Sequence, residues 1–303
     1  MSQAQQIQLI PDRVKQGEAV AVPEKDKILA STNIAKLFFS VHKLLCGDSA
    51  DSKQMRAEYY PIVKPGATTK ANMNSEDAEV KDIIGDFQPA LKMAYFTGKD
   101  ANTYAYTTKR EEIVFNRYLC DAYEEAFANQ REPQFSILKY VILLTSYHEL
   151  AHVYFVGTDS PRDLSYQKIV QDITGMPDAM RLPDNKGESG WFLEYNITGG
   201  LIDIVYPPKV NEQEEESKYN ARKYKEATGV HLTKYEKNAE KGYLDCKVFN
   251  IKPDALKRHS AGIVVTKFQP GTDMDLINSS EHVNIIKFEA IELSAEDLAR
   301  NKK

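Results

Sequence analysis

Cysteine is scarce in this chain: Cys46, Cys120 and Cys246 are the only three among 303 residues. An odd number with no CxxC spacing excludes a disulfide framework and a thiolate metal site, and leaves the thiols as small buried hydrophobes. Positive charge is not in excess either. Lys plus Arg total 39 against 44 Asp plus Glu, a net charge of -5, so the clustered cations that phosphate binding needs are not expected and nucleic acid is excluded as a partner. Met1 to Gly17 lacks the apolar core of a secretory signal, which predicts a cytoplasmic protein, or a secreted one whose signal has been removed. Without an export signal, the sequons at Asn196 and Asn278 carry little weight. Glycine and proline, at 15 and 13 residues, stay well below low-complexity levels, which excludes disorder of the whole chain.

A long uncharged run is nearly present. Between Phe135 and Val156 the only formal charges are Lys139 and Glu149, and a membrane span needs about 20 predominantly apolar residues. Two histidines, a Glu and a Lys interrupt this run, and the mean hydropathy of the chain is -0.49. It therefore reads as the buried central helix of a soluble domain, with no membrane partner.

Organisation follows from the punctuation. Residues 1–30 are polar, with Pro11 and Pro23, and read as an arm over the body; residues 31–303 read as a single domain. Ser31 or Thr32 caps a helix carrying Ile34, Leu37, Phe38, Val41, Leu44 and Leu45 on one face, ended by Gly47. His42 on that helix reads as structural. Tyr59 to Val63 resembles a strand and Asn72 to Asp77 a loop. Glu112 to Phe115 is a strand-like run, after which Asn116 caps a helix to about Ala128. Pro133 opens the long helix Gln134 to about Val156. Further helices are expected at Asp163–Ile173, at Glu188–Ile197 stopped by Gly199-Gly200, and in the charged stretch Asn211–Thr228. Strands are expected at Leu201–Val205, Tyr243–Phe249, Gly262–Phe268 and Val283–Ile291. The core around the long helix spans about residues 105–205, and a strand-rich part spans about 240–303.

The chemistry sits in His148-Glu149-Leu150-Ala151-His152, an H-E-x-x-H sequence. On a helix, residues four apart project from one face, so both imidazoles can ligate one Zn²⁺, and Glu149 can reach a water bound to it. With 6 His and 44 acidic residues, a shuffled chain yields H-[DE]-x-x-H less than about 0.02 times, so chance explains this zinc-type motif poorly. A catalytic site wants a third protein ligand. The extended motif with a third histidine is excluded, because Phe155 stands where its glycine belongs and Thr158 where its histidine belongs. The candidates are Asp159, Asp163, Glu188, Glu194, His231, His259 and His282. Glu188 is best placed, since it opens a helical stretch and a connector of 35 residues separates it from His152. Glu194 lies about 600° further round that helix and reads as a partner of a ligand or a surface charge.

His148-Glu149-Leu150-Ala151-His152 with a distant Glu188 resembles the zincin metallopeptidases in their gluzincin form, and the order strand, helix, motif helix over residues 105–205 is similar to that clan. Gly187-Glu188-Ser189-Gly190 departs from the N-E-x-x-S-D wording of thermolysin-like members, which implies a separate branch. The resemblance implies an α+β zincin-like fold, with a long buried active-site helix beside a small, mostly antiparallel sheet. It also implies hydrolysis of peptide bonds in a peptide or protein substrate, Zn²⁺ as cofactor, His148, His152 and Glu188 as ligands and Glu149 as general base. An edge strand along the cleft, with Ile113–Phe115 as candidate, and an oxyanion donor among Tyr195, Tyr206 and His231 complete the expectation. Two other functions stay open: an inactive zincin-like binding or scaffold protein, and a metal-dependent amidase acting on a small molecule.

Overall fold

A helix that is apolar on every face is stable only when protein surrounds it, and the helix carrying the H-E-x-x-H motif is of that kind. In the computed structural model, which describes residues 8–10, 32–63, 73–98, 101–109, 112–157, 189–238 and 243–277, α5 runs from Gln134 to Gly157. It buries Ile137, Leu138, Val141, Leu143, Leu150 and Val153 on different sides. Among the described residues four helices precede it: α1 (Asn33–Leu45), α2 (Ala50–Val63), α3 (Met73–Gly85) and α4 (Arg117–Ala128). All four pack on α5. The caps expected from sequence form: Thr32 Oγ1 accepts from Ala35 N at 3.2 Å, and Asn116 Oδ1 accepts from Tyr118 N at 3.1 Å. Each satisfies an amide that a helix start would otherwise leave unpaired.

Two expectations fail in this region. Tyr59–Val63 lies in the last turn and a half of α2, not in a strand, and α3 already begins at Met73, inside the expected loop. Aromatic and β-branched residues favour a strand locally, but tertiary contacts prevail. Tyr59 donates its hydroxyl to Tyr147 O on α5 at 2.7 Å. The wholly buried Arg56 forks onto Asp77 of α3 and donates to Leu45 O and Gly47 O at the end of α1. One guanidinium thus ties three helices, and its buried charge is compensated by a carboxylate and two carbonyls.

Two four-stranded sheets flank α5, where one small sheet was expected. The first has the order β1-β2-β4-β3, with β1 (Gln8–Ile10), β2 (Ala90–Ala94), β3 (Ala105–Lys109) and β4 (Glu112–Asn116). It is mixed: β1–β2 and β2–β4 are parallel, and only β3–β4 is antiparallel. Residues 8–10 of the N-terminal arm are therefore part of a sheet, while the rest of residues 1–31 lies outside the described residues. The second sheet, β5-β6-β7-β8, is antiparallel throughout and comprises β5 (Leu201–Val205), β6 (Gly229–Asn238), β7 (Tyr243–Ile251) and β8 (Met274–Leu276). Between these elements lie α6 (Ser189–Thr198), α7 (Glu216–Lys225) and α8 (Pro253–Ser260).

Helix α6 stops where the glycine pair predicts, with Gly199 at φ +85°, a left-handed conformation that glycine adopts without penalty. Gly262–Phe268 forms no strand. Val265 and Phe268 are buried one at a time, Phe268 against Tyr140 and His259, so the segment fills gaps in the core and joins no ladder. The expected elements at 163–173 and 283–291 lie outside the described residues. Among the described residues, no helix is long and apolar enough to cross a membrane. Cys120 is buried and Cys46 half-buried, and burial pushes both thiols up, in keeping with their reading as small hydrophobes.

Candidate metal centre

Helical spacing puts Val141, Thr145, His148, Glu149 and His152 on one stripe of α5, and that stripe floors a cleft of about 450 Å³. One ligand atom from each of His148, Glu149 and His152 lies within 4.8 Å of the others, and the two imidazole centroids are 5.1 Å apart. Glu149 is only 3% exposed. The three residues singled out from the motif therefore come together.

Helix α6 crosses beside this group and holds both rings. Glu194 Oε2 lies 3.3 Å from His148 Nδ1, and Ser189 Oγ lies 3.2 Å from His152 Nδ1. A carboxylate accepts from Nδ1–H, which fixes the tautomer and assigns Nε2 to the ligand position. Glu194 is 7% exposed, and its other oxygen accepts from Ile202 N at 2.6 Å, so it is a buried partner of His148 and not the surface charge that was its other expected role. Gly190 is the close approach: a Cβ there would stand 2.3 Å from Cδ2 and 2.4 Å from Nε2 of His148. The space beside the ring exists because this residue has no side chain.

The cleft's other wall is not the strand expected. Ile113–Phe115 belongs to β4, which is interior, between β2 and β3. Among the described residues the edge is β3, and Tyr104, Ala105 and Tyr106 line the cleft. Tyr104 O accepts from Asn116 N at 2.8 Å, so strand alternation turns the amide groups of Ala105 away from β4. Thr107 Oγ1 donates to Glu149 Oε2 at 2.9 Å and touches Glu149 O at 3.3 Å, which anchors the edge strand to the acidic residue of the motif.

Opposite stands β5, the edge of the second sheet among the described residues. Its outward amides are engaged, Ile202 N by Glu194 and Ile204 N by the Tyr104 hydroxyl at 3.0 Å. Asp203 presents exposed surface to the cleft and contacts Tyr104 Oη at 3.4 Å. Lost hydration first and the Glu194 carboxylate second raise its carboxyl to about 6.

Of the other singled-out residues, Glu188, Asp159, Asp163 and His282 lie outside the described residues. His259 is engaged by Thr266 and Asp273. His231 sits on β6 in register with Asp203, and burial lowers its pKa. Tyr195, Tyr206 and His231 do not line the cleft, whereas Tyr104 and Tyr106 do. Thr107, Trp191 and Asp203 escaped the sequence reading because no local pattern joins them to the motif.

The group of two imidazoles and a carboxylate could hold a metal ion, and each ring has a partner at its Nδ1. What fold and site define together is an α+β protein with a His/Glu/His group set into a cleft between two sheet edges. No family model, curated protein or solved structure matches this chain.

Proposed function

We propose that this protein is a zinc-dependent metallopeptidase of the zincin type. The observation that carries the reading is the placement of His148, Glu149 and His152 on one buried helix at the floor of a cleft walled by an edge strand. Zinc bound there would polarise a carbonyl and lower the pKa of a bound water from 15.7 to about 7. Glu149 takes the proton of the attacking water and delivers it to the leaving amine. Thr107 keeps the carboxylate turned toward that space through its 2.9 Å hydrogen bond. The outward amide groups of Ala105 offer an extended peptide the start of a ladder. Glu188 is the third ligand in this reading, the distal carboxylate that the resemblance to the gluzincins implies.

The test is zinc content together with cleavage of a mixed peptide library. Wild type should hold one zinc and cleave. Glu149→Gln should hold zinc and cleave nothing, since an amide cannot accept the proton. His148→Ala, His152→Ala and Glu188→Ala should lose the metal on dialysis against a chelator. Full activity of Glu149→Gln would sink the general-base assignment, and protein purified without zinc affinity would sink the enzymatic reading in favour of a binding or scaffold role. The cleft volume also suits a small amide, so small acyl amides belong in the same assay.

A further inference from the structure

Among the described residues, the cleft wall contains three carboxylates, Glu149, Glu194 and Asp203, and no lysine or arginine. Two of the three are committed, Glu149 to Thr107 and Glu194 to His148 and Ile202. Asp203 has a single weak partner among the described residues, the Tyr104 hydroxyl at 3.4 Å, and no ion pair.

A second polar group in the same wall is unspent. Thr145, one turn before Glu149, is 6% exposed and lines the cleft, yet among the described residues its hydroxyl makes no hydrogen bond. The residue is buried but lines the cleft, where a ligand group can meet its hydroxyl. The same stripe of α5 is apolar at Val141 and Leu144, and Trp191, 37% exposed, adds an aromatic face. An unpaired carboxylate, an aliphatic floor and an aromatic surface are together complementary to a side chain with a methylene stem and a cationic head.

We propose that the cleft takes a peptide segment bearing lysine or arginine, with Asp203 holding the cationic head, Val141 and Leu144 flanking the stem, and Thr145 hydrogen-bonding the peptide backbone. The inference rests on the peptidase reading only in taking the ligand to be a peptide. Binding tests it without hydrolysis.

The full chain carrying Glu149→Gln is titrated by calorimetry with capped alanine hexapeptides in which lysine, norleucine or glutamate is moved through each position. Lysine should bind about tenfold tighter than norleucine at one position, since a close charge pair in a partly desolvated cleft is worth that much; glutamate should bind weakest. Asp203→Asn in the same background should erase the difference between lysine and norleucine, while Thr145→Val should weaken both peptides alike. Equal affinity for lysine and norleucine, a lysine preference that survives Asp203→Asn, or no binding by any peptide overturns the proposal. Incubating the same peptides with wild type separates the two readings. A lysine preference without cleavage removes the peptidase and keeps the basic subsite, and cleavage without a lysine preference does the reverse.

Discussion

Glu194 and His148 are 46 residues apart in sequence, and their side chains meet at 3.3 Å, carboxylate Oε2 against imidazole Nδ1. The contact makes α6 the device that aims one of the two imidazoles. Glu194→Gln keeps the volume and a carbonyl acceptor for Ile202 N but removes the carboxylate from Nδ1. Zinc affinity should fall by about 10–100-fold, the usual cost of losing such a partner, with the circular dichroism spectrum unchanged. Competition against a chromophoric chelator measures it, and equal affinity in wild type and variant would show that the contact does not tune the ligand.

Gly190→Ala should be costly for a steric reason. Its Cβ would stand 2.3 Å from the His148 ring, so the ring or α6 must move, at about 1–3 kcal/mol and with loss of zinc. Gly85→Ala is the control, because no atom lies within 4 Å of the Cβ built there; it should shift stability by less than about 0.5 kcal/mol. Urea denaturation of both variants beside wild type checks the pair, and similar midpoints for the two would refute the packing argument.

Thr107→Val removes the donor to Glu149 Oε2 while keeping a branched side chain on β3. If Thr107 orients the carboxylate, kcat/KM on a validated peptide should fall about tenfold or more, the worth of a hydrogen bond to a charged group, while zinc content stays at the wild-type level. Loss of zinc together with activity would instead make Thr107 part of the scaffold of the whole site.

Asp203 should cost the fold stability at neutral pH. Its folded-state pKa, about 6, is raised above the ordinary value of 3.8, so the folded chain binds more protons than the unfolded chain between those values. Stability then falls as pH rises through that window. Asp203→Asn removes the effect: the variant should be the more stable of the two at pH 7, and the difference should close as pH drops toward 4. Denaturant midpoints at pH 4, 5, 6 and 7 follow it, and a gap that widens on acidification would reverse the sign and refute the assignment.

The periodicity of the chain was enough to locate the motif helix, its burial and the convergence of His148, Glu149 and His152. All three follow from local rules: an apolar run, a 3.6-residue turn, and side chains four apart on one face. Caps and stops were legible for the same reason, at Thr32, Asn116 and Gly199. Sheet order was not. Whether Ile113–Phe115 or Ala105–Lys109 forms the edge depends on which strands pair with β4 on either side, and those partners come from separate segments. Likewise, Tyr59–Val63 reads as strand until Tyr59 finds Tyr147 and Arg56 finds Asp77, contacts 88 and 21 residues away. The residues around the motif, Thr107 from β3, Glu194 from α6 and Asp203 from β5, become neighbours only when both sheets pack on α5, because proximity between distant segments is set by the shared core and leaves no periodic trace in any one segment.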